Sequence, residues 1–225
     1  MGIEQTERTD EGRETGRLEA FSDGVFAIAV TLLVLELKAP LPGDLRAGDS
    51  LLAALRHEWP AFLAFVTSFA SILIMWVNHH NLMKQIKRVD HAFLLLNGLL
   101  LLGVTVVPFT TNLLAEYLRE PGGRVAAVVY SGAYMFIAIG YNLMWRYASY
   151  RGRLLAHNAD QRFIRDVNLQ YLIGPTLYFI AVLLALFSAV ASFGLNILLA
   201  VFFAFPPSLT KTITRSGRAG RGTSE

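Results

Sequence analysis

Long apolar runs separated by short charged clusters set the pattern of this chain. Residues 92–114, 125–145 and 59–77 each carry no charged side chain. A helix crossing a bilayer needs about 20 mostly apolar residues, so each run predicts one span. Residues 18–37 predict another, marked by Glu19, Asp23 and Glu36. Residues 167–210 are uncharged for 44 positions, too many for one helix. Phe193–Gly194, between Ser192 and Asn196, is the expected break there, because glycine tolerates turn conformations. The expectation is an all-α, polytopic membrane protein with six transmembrane helices at about 18–38, 59–80, 92–114, 125–146, 167–191 and 195–210. They form one membrane domain, 16–213, between polar ends at 1–15 and 214–225. Those ends are rich in charge, Gly, Ser and Thr, a composition that predicts disorder.

Composition agrees. Apolar residues make up 54% of the 225 positions and charged residues only 16%, against about 45–50% and about 25% in soluble domains. With no cysteine, disulfides, thiolate catalysis and cysteine-ligated metals are excluded. The polar N-terminus lacks the basic-then-apolar order of a cleaved signal. The net charge of +3 follows from topology rather than from a nucleic-acid surface. With six spans, one side collects 15 lysines and arginines and the other 5. Such a bias puts both termini in the cytoplasm, for a multi-pass protein of the plasma (inner) membrane. In the first outer loop, Asp49–Ser50 is placed to cap a short helix at Leu51–His57, ahead of Trp59–Pro60 at the start of the second span. Residues 148–166 read as a basic linker along the membrane surface.

Charge inside a span marks a functional hypothesis. Asp23 lies six residues past Arg17, roughly 9 Å into the membrane at about 1.5 Å per residue. Similar counts from Lys84 and Asp90 bring Asn78 and Asn97 to the same level, near Trp76, His79, His80 and His91. Together with Ser22 these predict a polar belt. The belt either orients helices through hydrogen bonds or carries a proton or ion. His79 and His80 are adjacent, about 100° apart on a helix, with no third ligand at suitable spacing, so zinc is not expected. No other resident metal or cofactor is expected either.

Past Asp23 the first helix becomes apolar. Ile28, Leu32 and Leu35 share one stripe at i, i+4 and i+7, with Thr31 beside them. Taken alone, such a stripe packs on a neighbouring helix or on lipid. The segment before it, Arg17-Leu18-Glu19-Ala20-Phe21-Ser22-Asp23, resembles the Arg-x-x-x-Phe-Ser-Asp motif of the transmembrane protein 175 family, the endolysosomal potassium channels and their prokaryotic relatives. The resemblance is close over residues 17–37 and looser elsewhere. It implies a potassium channel whose pore is lined by the first helix, a homotetramer for a chain with one motif. It further implies a hydrophobic constriction at Ile28, with Leu32 and Leu35 on the same face, and Thr31 as a candidate for potassium preference. Arg17, Phe21, Ser22 and Asp23 would position the helix. The implied partners are potassium ions, the lipid bilayer and three further copies of the chain. No Thr-Val-Gly-Tyr-Gly loop is present.

The chain shows no internal duplication, so a central pathway must be supplied by several copies. A proton-coupled secondary transporter using Asp23 and a nearby histidine is the alternative; Gly103, Pro108, Gly140 and Pro175 are the few interruptions that could break its helices. An enzyme is not expected. Asp23 and Glu36 lie about 20 Å apart along one helix at 1.5 Å per residue, too far for a carboxylate pair, and no nucleophile or zinc-protease motif is present.

Overall fold

The computed structural model describes residues 2–40, 50–155 and 161–204. Seven α-helices run through these residues: α1 Gly2–Leu32, α2 Leu51–His57, α3 Trp59–Met83, α4 His91–Tyr117, α5 Gly123–Ser149, α6 Gln161–Ala185 and α7 Ala189–Ala204. A 3-10 turn, Leu33–Glu36, ends α1. Four helical stretches are long and apolar enough to cross a membrane: Gly12–Glu36, Trp59–Met83, His91–Tyr117 and Gly123–Gly152. The apolar parts of the last two helices, Tyr171–Ala185 and Ala189–Ala204, are shorter.

Two boundaries differ from the sequence reading. Residues 2–15 continue α1 instead of forming a disordered end. They contain no proline to interrupt the backbone hydrogen bonds of a helix. The break in the long uncharged run falls at Leu186–Ser188 rather than at Phe193–Gly194. Ser188 Oγ accepts from the Ala191 amide at 3.2 Å and so caps α7. Ser192 and Asn196, which flanked the expected turn, are instead buried in α7. Ser192 Oγ donates to the Ala181 carbonyl at 2.8 Å, and Asn196 Nδ2 to Ser131 Oγ at 2.8 Å. The end of the expected sixth span, 205–210, and the tail, 214–225, lie outside the described residues.

Local chemistry explains the other starts. Ser50 Oγ accepts from the Ala53 amide at 3.2 Å and opens α2. Pro60 sits in the first turn of α3, where a missing N–H costs nothing. Asp90 caps α4 by accepting from the Phe93 amide at 2.9 Å.

Helix α5 is the spine of the bundle, packed along α4 on one side and α6 on the other, with α7 against it. Helix α1 lies against α3 and α4. Lipid is as apolar as leucine, so close packing and buried hydrogen bonds hold such helices together. Gly103 of α4 permits the α4–α5 approach, since a Cβ there would stand 2.7 Å from Ile137 Cγ1 and 2.9 Å from Phe136 Cδ1. The same interface passes Gly140, where a Cβ would meet Leu100 at 3.3 Å. Farther along, Thr111 Oγ1 donates to Ser68 Oγ at 2.7 Å, and Ser68 pairs with the Tyr130 hydroxyl at 3.0 Å, tying α3, α4 and α5.

Candidate pore-lining helix and its polar anchor

Helix α1 has two different faces. Ser22, Phe26, Ala29 and Leu33 are buried against the bundle, Ser22 and Leu33 at 0% exposure. On the opposite face Phe21 is 64% exposed, Ile28 59%, Leu32 39% and Leu35 72%, with Arg17 and Thr31 also exposed. At about 100° per residue these positions form one stripe along the helix. Among the described residues nothing covers this stripe.

The buried face is fixed by hydrogen bonds. Trp76 Nε1 donates to Asp23 Oδ1 at 2.8 Å. One helical turn nearer the N-terminus of α1, His80 Nδ1 and Glu19 Oε1 are 2.7 Å apart. Trp76 and His80 on α3 are spaced i, i+4, as are Asp23 and Glu19 on α1, so the two antiparallel helices pair like rungs. The Trp76 and His80 rings stack, with centroids 6.0 Å apart and planes 14° from parallel.

A second chain of bonds joins α1, α3 and α4 in the interior. Ser22 Oγ donates to the Leu18 carbonyl at 2.9 Å, and Asn97 Nδ2 donates to Ser22 Oγ at 3.0 Å. Asn97 Oδ1 then faces His79 Nε2 at 2.9 Å. Each step fixes the next. With the serine proton committed to Leu18, the asparagine amide must face the serine, so its carbonyl oxygen faces the imidazole and Nε2 carries the proton. His79 Nδ1 is buried without a partner, and the ring lies 5.5 Å from that of Phe26.

Of the expected belt, Ser22, Asp23, Trp76, His79, His80 and Asn97 come together. Asn78 does not join them. It lines a separate crevice of about 60 Å³ with Ser71, Tyr134, Tyr141, Tyr171 and Tyr178. Glu19 is the member that sequence reasoning missed, although its place one turn from Asp23 was the available signal. Among the described residues no group of three or more His, Asp or Glu could hold a metal ion.

At the other end of α1, Asn112 Nδ2 donates to Glu36 Oε2. Lys38 Nζ meets Glu116 Oε1 at 2.6 Å, and that hydrogen bond, with its charge, raises the Lys38 pKa. Glu36, Lys38 and Glu116 border a cavity of about 700 Å³, also lined by His57, Glu58 and Arg119. The 3-10 turn carrying Leu35 is therefore tied to α4 just beyond the exposed stripe.

Comparison with known proteins places this geometry. Residues 17–108 match the family model described as endosomal/lysosomal potassium channel TMEM175. A potassium channel from Chamaesiphon minutus is 52% identical over 194 residues, 86% of this chain and 95% of that one. Another, from Streptomyces collinus, is 42% identical over 193 residues, 85% of this chain and 92% of that one. The crystal structure of a lysosomal potassium-selective channel TMEM175 homolog from Chamaesiphon minutus superposes with a TM-score of 0.79 at 49% identity, covering 85% of this chain and 97% of that one. Identity of this order along nearly the whole length of a relative, together with the match over α1, α3 and part of α4, means that the chain belongs to the TMEM175 family.

Proposed function

We propose that the protein is a potassium-preferring cation channel that conducts ions passively through a homotetrameric pore lined by α1. The observation that carries this reading is the two-faced α1. Its inner face is held by hydrogen bonds, and its outer stripe of Arg17, Phe21, Ile28, Thr31, Leu32 and Leu35 has no covering among the described residues. Four stripes around an axis form a conduit. Ile28, with Leu32 and Leu35 beyond it, is its narrowest part, a ring that gates by dewetting. Thr31 Oγ1 donates to the Ile28 carbonyl at 2.8 Å. Its proton is thereby used within the helix, and its oxygen lone pairs remain for a passing cation. Of the four motif residues, Ser22 and Asp23 set the position of α1 through Asn97 and Trp76, whereas Arg17 and Phe21 stand on the open stripe. In this reading all six apolar helices span the plasma (inner) membrane, and both termini are cytoplasmic.

Several observations agree with it. The family is one of channels rather than enzymes, and relatives matched along most of their length are potassium channels. The test is bi-ionic current from purified protein in planar bilayers, KCl against NaCl. The expected current is ohmic, with a reversal potential displaced toward that of potassium. Ile28→Asn raises conductance, because a polar ring wets more readily. No current, with saturable proton-coupled uptake in vesicles from the same preparation, would replace the channel with a transporter working through Asp23 and a neighbouring histidine. Permeation unchanged at Ile28 but altered at Leu32 would move the constriction.

A further inference from the structure

The loops at the end of the bundle where α3 meets α4 and α5 meets α6 are joined rather than free. Ile86 and Leu155 form an antiparallel bridge, and the Lys87 amide donates to the Leu154 carbonyl at 2.9 Å. Ile86 and Leu154, 3% and 4% exposed, anchor the two strands of this clasp in the core. Just ahead of Leu154 the clasp turns sharply. Arg151 has φ 55° and Gly152 φ 67°, a left-handed backbone that costs a non-glycine residue energy. This turn lays the Arg151 guanidinium over the exposed Tyr150 ring, 5.4 Å from its centroid.

Charge in the clasp is one-sided. Residues 84–90 and 146–155 hold six cations, Lys84, Lys87, Arg88, Arg146, Arg151 and Arg153, and one carboxylate, Asp90. That carboxylate is already engaged. It accepts from the Tyr147 hydroxyl at 2.7 Å and the Phe93 amide at 2.9 Å, and Arg153 Nε lies 3.6 Å away. Lys84, Lys87, Arg146 and Arg151 are exposed. They sit beside the ends of α3 and α5, at the level where a bilayer presents its headgroups, and exposed Tyr150 is a residue type favoured at that interface.

We propose that this clasp is a docking surface for the headgroups of anionic phospholipids. Charge complementarity selects the occupant: the exposed cations Lys84, Lys87, Arg146 and Arg151 beside the ends of α3 and α5, with Asp90 already engaged, favour a phosphodiester with net negative charge over a zwitterion. The bridge and the two buried anchors hold the backbone that carries these cations in place before a lipid arrives. The inference does not depend on ion conduction, and it holds whichever side of the membrane the clasp faces.

The experiment is native mass spectrometry of the full chain in detergent, offered phosphatidylglycerol and phosphatidylcholine in equal amounts. Phosphatidylglycerol is retained preferentially. Each Lys or Arg near an anionic headgroup strengthens attraction by about fivefold, so Lys87→Gln with Arg151→Gln lowers that preference by an order of magnitude or more. Arg56→Gln, on α2 at the opposite end of the bundle, leaves it intact. For the unmodified protein, raising ammonium acetate from about 0.1 to about 1 M shortens the screening length from about 10 to about 3 Å and abolishes the preference. Equal retention of the two lipids by the unmodified protein, or an undiminished preference in the double variant, overturns the proposal. If the double variant fails to fold, the salt series on the unmodified chain decides.

Discussion

Asn97 is the residue on which the inner bond chain depends. It serves Ser22 through its amide and His79 through its carbonyl oxygen. Ser22→Ala removes one partner and leaves the Asn97 amide unmatched. Asn97→Ala strands both Ser22 and His79 and opens a void as well. Hydrogen bonds between membrane helices contribute about 0.6 kcal/mol on average and about 1.7 at most. Ser22→Ala is therefore expected to cost under about 2 kcal/mol, and Asn97→Ala two to three times as much. Thermal unfolding in detergent, followed by size-exclusion recovery, ranks the two variants; an equal loss would contradict the shared role. These residues were legible because lipid makes a polar side chain conspicuous. Depth alone did not say which way each one faced. Asn78 and His79 are neighbours in sequence, so about 100° of helical rotation separates them, and only His79 reaches Asn97.

At the scale of elements, the glycines at the α4–α5 contact changed meaning between sequence and structure. Gly103 and Gly140 read as possible interruptions of a transporter helix, yet both lie within unbroken helices and permit close packing. A Gly103→Val side chain would need to displace Ile137 and Phe136, an overpacking worth about 1–3 kcal/mol. The expected result is a lower melting temperature, with Gly98→Val, where a Cβ meets nothing within 4 Å, as the milder control. The ends of elements were less legible than their middles. A cap depends on one serine, so Ser188 overrode the glycine that marked the expected turn, and Ser192 and Asn196 proved to be internal fastenings. Asp90 links this scale to pH. Burial works against its charge, but Tyr147, the Phe93 amide and Arg153 together lower its pKa. A depressed carboxylate pKa in the folded state stabilises above the unfolded value and loses that contribution as pH falls through the folded one. Melting temperature should therefore decline as pH drops below about 4, and Asp90→Asn should be less stable at neutral pH and show a shallower decline. A decline of equal steepness in the variant would assign the acid sensitivity to other carboxylates.

For the whole molecule, the question is what covers the open stripe of α1. A single chain contains one copy and no repeat, so other copies or lipid must meet Ile28, Thr31 and Leu35. The absence of cysteine makes the alternatives separable, since any introduced thiol is the only one present. Water and a charged, membrane-impermeant thiol reagent reach a conducting pore but not the lipid-facing or packed surfaces. In the assembled channel, Leu35→Cys and Thr31→Cys should react and lose most of their current, because four adducts crowd one axis. Ile28→Cys should react when the pore is open. Ala29→Cys, on the buried face, should stay unmodified, and Val125→Cys, 68% exposed on α5, should conduct normally after the same treatment. This pattern follows the angular position of each residue on α1 rather than its exposure in a single chain, and lipid coverage cannot reproduce it. Block at Val125 equal to that at Leu35, or no block at any stripe position despite robust current, would place the conduit elsewhere in the bundle.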